Sequence, residues 1–432
     1  MSETNDPETN GRRLRAQAGR LQLQGRYDEM LALADAALAA QPPLAEAWLI
    51  RGDALKSQDR LEAALEAYEQ AGASPRIAFD AHFGRALALD DLGRIDEALE
   101  AFEAALALQP DAPVPRFGRA LLRLYRRDFA AGWDDYEERW RSEVFVTGCR
   151  GVVPTGMVPH LATRVTPTDL AGRRVLVVGE QGIGDQLMFA SMIPDLARIA
   201  ASVVCVCDPR LVRLLGASFD NVTVTDPRGG NVEADVALAM GSLGGVFRRD
   251  AADFPGAAYL RPKPETLAGW AERLGPRRAR LRVGISWRGG APGTGQQGRS
   301  LALNQLRPVL DAPDCEFVNL QYGDVAQEVA AANAGCANPI RLFPPVEIDD
   351  LEDLAGLVAN LDAVVSVQTT LVHLAGALGQ TAFALLPYRA NWRYTESGGT
   401  MPWYRSVRLL RQAEPGAWEP VVAQAAAAVA SR

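Results

Sequence analysis

Two short stretches combine residue types that can do chemistry. The first is Gly179-Glu180-Gln181-Gly182-Ile183-Gly184-Asp185, which follows the apolar run Arg174–Val178. Glycines at a strand end let backbone come close to a ligand. Asp185, where the loop ends, is the acidic side chain nearest the start of the next helix. A carboxylate there has two uses: it can cap the helix, or it can serve as a general base pointing into a cleft. The second stretch is Gln368-Thr369-Thr370, between the strand expected at Val364–Val367 and a helix over Leu371–Leu378 that Gly379 closes. The threonine hydroxyls suit capping. A helix opening straight off a parallel strand presents free N–H groups and the positive end of its dipole, which is a site for phosphate. Any βαβ unit has the same outline, so this stretch alone leaves both readings open.

Two familiar glycine motifs are excluded. The spacing G-x-x-G-x-G departs from the dinucleotide fingerprint, and no acidic residue closes the next strand in register, which argues against an NAD enzyme. Gly293 to Ser300 (GTGQQGRS) resembles a phosphate-binding P-loop with arginine for lysine. It begins well after the strand Leu281–Trp287 ends, and arginine does not reproduce that lysine's point charge. A mobile, basic loop is expected there.

The elements that would position the two stretches read as α/β. With Arg174–Val178, the runs Val203–Val206, Val222–Val224 and Val236–Leu238 make one small parallel sheet, with Ala258–Arg261 as its last strand. A helix is expected from Gln186 to about Ala200. A second unit holds a helix near Leu267–Leu274, strands at Leu281–Trp287, Cys315–Gln321, Val364–Val367 and Ala382–Leu386, and helices at Asp349–Leu361 and Trp418–Ala430. Two doubly wound units of about 90 and 170 residues, with a cleft between them, suit an extended ligand. Gly148–Leu170, rich in Gly, Pro and Thr, reads as a connection.

Residues 11–146 are different. They repeat with a period of 34: Leu14, Trp48, His82 and Arg116 share one register, and Met30, Ala64, Ala98 and Gly132 share a second. Ala34, Tyr68, Phe102 and Tyr136 share a third, while Pro42 and Pro110 close units and Gly25, Asp59 and Gly93 mark turns. Alanines let paired helices approach and the aromatic fills the gap to the next pair, so the units stack as a solenoid. The fourth unit, Pro113–Val146, departs from the pattern. Its Trp133, Tyr136, Trp140 and Phe145 suit either a helix capping the repeats against the next domain or a peptide-binding face.

Composition narrows the class. Over 432 residues, 45 basic against 53 acidic side chains give a net charge of −8, which argues against general nucleic-acid binding. No apolar run reaches the roughly 18–20 residues of a membrane span, and the polar start MSETNDPETNGRRLR has no signal-peptide core. Five cysteines without C-x-x-C spacing and three scattered histidines make a zinc site or disulfide framework unexpected and a reducing cytoplasm the simplest compartment.

The 34-residue period and its small/aromatic pattern resemble the tetratricopeptide repeat. The runs RVLVVGEQGIGDQLMFASMIPDL, VGISWRGG, VVSVQTTLVHLAGALG and PWYRSVRLLRQ are similar to bacterial proteins that join such repeats to a GT-B glycosyltransferase domain. That domain is related to the lipopolysaccharide heptosyltransferases and, more distantly, to O-linked N-acetylglucosamine transferase. The resemblance implies repeats over 11–146, a linker over 147–172, an acceptor-side Rossmann-like domain over 173–262 and a nucleotide-sugar domain over 263–432. It implies an inverting, metal-independent transfer from a UDP-, GDP- or CMP-linked sugar to a protein held by the repeats, with no cofactor. Flagellin and a CMP-linked nonulosonic acid are the acceptor and donor of some relatives. By the same resemblance Gly184-Asp185 supplies the catalytic aspartate, beside Gly182 of the loop. Thr369, Thr370 and Leu371, with His373 behind them, meet the donor phosphates, and Trp287 and Arg288 line the same pocket. Arg389, Trp392 and Arg393 hold donor or pack the C-terminal helix, and His373 can equally be structural. Gln368 stands where the relatives carry aspartate, which leaves donor identity open. It also keeps two alternatives in view: a non-catalytic repeat scaffold, or a transferase acting on a lipid-linked or saccharide acceptor.

Overall fold

The computed structural model describes residues 7–40, 44–149, 153, 155–229, 232–289, 297–336, 338–343 and 350–432. Pro42 and the first half of the P-loop-like stretch lie outside the described residues. The chain divides into two compact units, up to Arg123 and from Leu124 onward.

The first unit is built of helical pairs: Pro7–Leu23 with Tyr27–Ala39, Ala45–Ser57 with Leu61–Gly72, and Ala78–Asp91 with Ile95–Leu108. The turns within pairs fall where the repeat pattern puts them, because Gly25, Asp59 and Gly93 all take positive φ, at 68°, 60° and 75°. Glycine adopts that conformation freely and Asp tolerates it. Tyr68, 1% exposed, is wedged between two glycines. An added Cβ would come within 2.6 Å of its ring at Gly52 and 2.5 Å at Gly84. Alanine in a helix is intrinsically better than glycine by about 1 kcal/mol, but overpacking a closed core costs about 1–3 kcal/mol. Gly84→Ala is therefore expected to lower the unfolding midpoint of the protein. Gly19→Ala, with nothing within 4 Å of its Cβ position, is expected to raise it slightly in the same urea titration.

The unit boundary falls inside the fourth repeat, not at residue 146. The reason is the helix Phe129–Tyr136, whose Trp133 is 1% exposed and donates from Nε1 to the Arg248 carbonyl at 2.8 Å. That helix is committed to the α/β unit, as a capping element is.

The second unit holds two sheets. β1 (Arg174–Val178), β2 (Ser202–Val206), β3 (Val222–Thr225) and β4 (Val236–Ala239) form a parallel sheet in the order β3-β2-β1-β4. The second sheet comprises β5 (Leu281–Ser286), β6 (Cys315–Asn319), β7 (Ile340–Arg341), β8 (Ala363–Val367), β9 (Thr381–Leu386), β10 (Thr400–Met401) and β11 (Tyr404–Arg411). Its order is β10-β11-β9-β8-β5-β6-β7, parallel except for β10. β1 and β8 are mostly apolar because helices cover both faces of such sheets, and β5 departs from this at Arg282, which is buried in an ion pair with Glu316 of β6. Ala258–Arg261 is not a strand. Its Tyr259 and Leu260 N–H groups bond the Ala377 carbonyl at 2.9 and 3.0 Å, so the segment straps onto the second α/β domain. The terminal helix Trp418–Ala430 buries Val421, Val422, Ala425 and Val429 in the core of that same domain. Among the described residues no helix is long and apolar enough to cross a membrane.

Candidate functional site

In an open parallel sheet, a crevice forms where neighbouring strands send their connections to opposite sides. Here β5 lies between β8 and β6, so the crevice opens at the carboxyl ends of β5 and β8. The chain leaving β5 passes so close to the β8 turn that a Cβ on Gly289 would sit 3.0 Å from both the Gln368 carbonyl oxygen and Thr369 Cγ2. The helix Thr370–Ala377 starts there. Thr369 caps it, with Oγ1 accepting from Leu371 N at 3.2 Å and meeting Ser366 Oγ at 3.0 Å.

The glycine loop after β1 feeds the helix Ile183–Ala190, three residues earlier than the sequence suggests. Gly182 is the N-cap residue, and Asp185 lies in the first turn with Oδ2 accepting from Gly182 N at 3.3 Å. The two stretches meet directly. A Cβ on Gly184 would lie 3.3 Å from His373 Cδ2 and 3.5 Å from Thr370 Oγ1. Glycine is what lets the two helices touch, and it sets Asp185 beside the first turn of the helix Thr370–Ala377.

Asp185 is not free in this arrangement. Its Oδ1 accepts from Arg393 Nη2, and both side chains are 14% exposed. Arg393 also donates to Asn391 Oδ1. Burial works against its charge, with the phenols of Tyr136, Tyr394 and Tyr404 opposing. The carboxylate thus performs the capping role on one oxygen and an ion pair on the other. Each oxygen keeps a second lone pair, so a substrate hydroxyl can approach the carboxylate with Arg393 in place.

The remaining expected residues separate into two groups. Gln368 stands in the turn and accepts from Asn391 N at 3.2 Å through Oε1, a bond a carboxylate would make equally well. His373 is 4% exposed; burial pushes its pKa down to about 4, so it is neutral at pH 7. Five others have partners of their own. Trp287 is 0% exposed and spends its indole N–H on Glu328 at 3.0 Å, because β5 buries both faces in the sheet core. Arg288 pairs with the same Glu328. The Leu371 side chain is in the core, leaving only its capped N–H at the helix start. Trp392 packs edge-on to Trp133 and near-parallel to Phe189, in an aromatic cluster and not on the C-terminal helix. Arg389 lies over the Tyr125 ring at 4.1 Å and donates to the Ala390 carbonyl.

One group had no sequence signal at all. Glu180, inside the glycine loop, and Arg139, from the capping segment, are both 0% exposed and paired through two 2.9 Å bonds. Gly241 N donates to the same carboxylate at 2.7 Å, and Glu137 and Ser242 complete the network. Burial would strip the Arg139 charge, but Glu180 and Glu137 hold it in place. This network anchors the loop whose far end carries Asp185.

These features define a class: tetratricopeptide-type helical repeats followed by two parallel-sheet α/β domains. Known proteins share parts of this plan. Tetratricopeptide repeat models match residues 16–76 and 79–112. Protein FlbA of Caulobacter vibrioides is 31% identical over 324 residues, 69% of this chain and 52% of that protein. The chain thus spans about half the length of this curated relative. Among solved structures, a glycosyl transferase family 9 protein from Veillonella parvula aligns with 61% of this chain and 98% of its own, at TM-score 0.45 and 12% identity. The E. coli ADP-heptose lipopolysaccharide heptosyltransferase II aligns with 60% and 98%, at TM-score 0.43 and 14% identity. An O-GlcNAc transferase mutant from Thermobaculum terrenum aligns with 98% and 91%, at TM-score 0.33 and 16% identity.

Proposed function

We propose that this chain is a glycosyltransferase that moves a sugar from a nucleotide-sugar donor to a hydroxyl of a protein held by the repeats, with flagellin as the first acceptor to test and the cytoplasm as its compartment. The observation that carries the reading is the contact of Gly184 with Thr370 and His373, which sets a carboxylate beside an anion-binding helix start. In the proposed reaction the nucleotide phosphate sits at Thr370, where the helix dipole and N–H groups favour negative charge. The acceptor oxygen attacks the anomeric carbon from the face opposite the phosphate and gives its proton to Asp185. The bond from carbon to phosphate oxygen breaks with its electron pair on the leaving nucleotide. Arg393, released by Asp185 as the proton arrives, stays near enough to offset charge in the same crevice.

The test is a donor panel. Thermal shift and turnover with UDP-, GDP- and CMP-sugars should single out one nucleotide, and intact-mass analysis of flagellin from a deletion strain should show lost glycan mass. Neither binding nor turnover at millimolar donor would sink the enzyme reading. That result would favour a non-catalytic scaffold, for which the occupied state of Asp185 is the supporting observation. Turnover with unchanged flagellin mass would redirect the acceptor to another protein or to a lipid-linked saccharide.

A further inference from the structure

The segment PWYRSVRLLRQ has no part in the proposed reaction, yet its Tyr404 is 0% exposed and sits between the two helices of the site. The ring lies on Gly376, where an added Cβ would be 2.4 Å from Tyr404 Cγ. Three polar contacts run in line from one helix to the other. His373 Nδ1 is 3.4 Å from Tyr404 Oη, and Tyr404 Oη is 3.4 Å from Tyr259 Oη. Tyr259 Oη in turn donates to the Leu187 carbonyl, on the helix that carries Asp185.

Counting protons gives this chain of contacts a direction. A carbonyl has none to offer, so Tyr259 must donate to Leu187, and its oxygen is left to accept from Tyr404. Tyr404 has one proton. Given to His373, it leaves two hydroxyl oxygens facing each other with no proton between them. Given to Tyr259, it requires His373 to donate from Nδ1, and then every contact holds one proton. Hydrogen bonds aligned in one direction also polarise and strengthen one another.

We infer that Tyr404 and Tyr259 are positioning residues that hold His373 as the Nδ1–H tautomer, with the bare lone pair of Nε2 offered to a substrate hydroxyl. The identity of that substrate rests on the glycosyl-transfer reading; the tautomer does not. Nε2 makes no hydrogen bond among the described residues, and it adjoins Cδ2, the ring atom that faces Gly184. A lone pair repels phosphate oxygens and accepts from O–H. The group that meets His373 is therefore a hydroxyl of the sugar or of the acceptor, and the phosphate is left to Thr370.

The chain contains three histidines, so a spectrum of protein labelled with 15N-histidine is simple to read, and His373→Asn assigns the signal. At pH 7.5 the wild type should show His373 with a protonated Nδ1 and an unprotonated Nε2. Tyr404→Phe removes the Nδ1 acceptor, and Tyr259→Phe frees the Tyr404 proton for His373; both should move the proton toward Nε2. Both are near-isosteric, and should one fail to fold, the other carries the test alone. A protonated Nε2 in the wild type, or an unchanged tautomer in a folded variant, overturns the inference. This result stands whether or not a donor sugar is ever turned over. In a titration, movement of Nε2 with the nucleotide sugar but not its nucleotide marks a sugar hydroxyl, and movement only with acceptor marks the acceptor hydroxyl. Movement with inorganic phosphate overturns the hydroxyl assignment, and movement with nucleotide alone overturns the assignment to the transferred sugar or the acceptor, because the ribose then supplies the hydroxyl.

Discussion

Asp185→Asn is expected to lower kcat by about 10²–10⁴-fold, the range in which a positioned general base acts, while leaving the fold intact. Asparagine can still accept from Gly182 N, so the helix keeps its first-turn bond. Its one carbonyl oxygen cannot also take the Arg393 bond, which falls on the other oxygen of the carboxylate, so the guanidinium loses its carboxylate in this variant. What asparagine cannot do is take a proton. Asp185→Ala differs because it also loses the first-turn bond, worth about 1 kcal/mol. The discriminating measurement is the pair of variants compared in turnover and urea unfolding. If Asp185 is only a cap and an ion-pair partner, asparagine will keep activity near wild type and alanine will lose stability. Activity lost in both, with a further loss of stability in alanine, is the expected pattern.

The second large effect concerns stability. Arg139→Met should destabilise the α/β unit by about 3–5 kcal/mol, because removing one partner strands a fully buried carboxylate. The double variant Arg139→Met, Glu180→Leu should recover much of that loss, since a buried pair replaced by apolar groups of similar volume is often close to neutral. Denaturant midpoints of the wild type, Arg139→Met, Glu180→Leu and the double variant would show this; additive losses in the double variant would contradict it. The pH dependence of Arg139→Met has a definite sign. Burial raises the Glu180 pKa, with Arg139 working against it in the wild type. Without Arg139, the folded state binds the Glu180 proton more tightly than the unfolded chain, whose carboxyl titrates near 4.3. Folded protein therefore carries more protons above that pH, and stability falls as pH rises. The variant should be more stable relative to wild type at pH 5 than at pH 8. It should also reduce activity if loop and base act together, since Glu180 and Asp185 belong to one loop.

Much of the architecture was legible because it depends on periodicity. A 34-residue repeat with alanine and aromatic registers specifies paired helices, and Tyr68 between Gly52 and Gly84 is the packing those registers imply. The apolar runs at Arg174–Val178 and Val364–Val367 specify buried parallel strands for the same kind of reason. Boundaries were less legible. The helix after the glycine loop begins at Ile183 because Gly182 and the Asp185 carboxylate together close its first turn, a local bond that no apolar period reveals. The strand expected at Ala258–Arg261 failed because its N–H groups are claimed by Ala377 of the other domain. Propensity does not register a competing partner more than a hundred residues away.

The site divides along the same line. From the sequence alone came the two stretches that matter, Gly182 to Asp185 and Gln368 to Thr370, since a glycine loop off one strand and a threonine-capped helix off another each have local physical meaning. Only the tertiary structure decided that Gly184 touches Thr370 and His373, that Asp185 is held by Arg393, that the Trp287 indole donates to Glu328 and that Trp392 meets Trp133. It alone joined Arg139 to Glu180 and Tyr404 to His373. The physical reason is range. Helix caps, turns and apolar periods act within a few residues, whereas ion pairs, proton chains and glycine contacts depend on which distant atoms the fold brings within about 3 Å of one another.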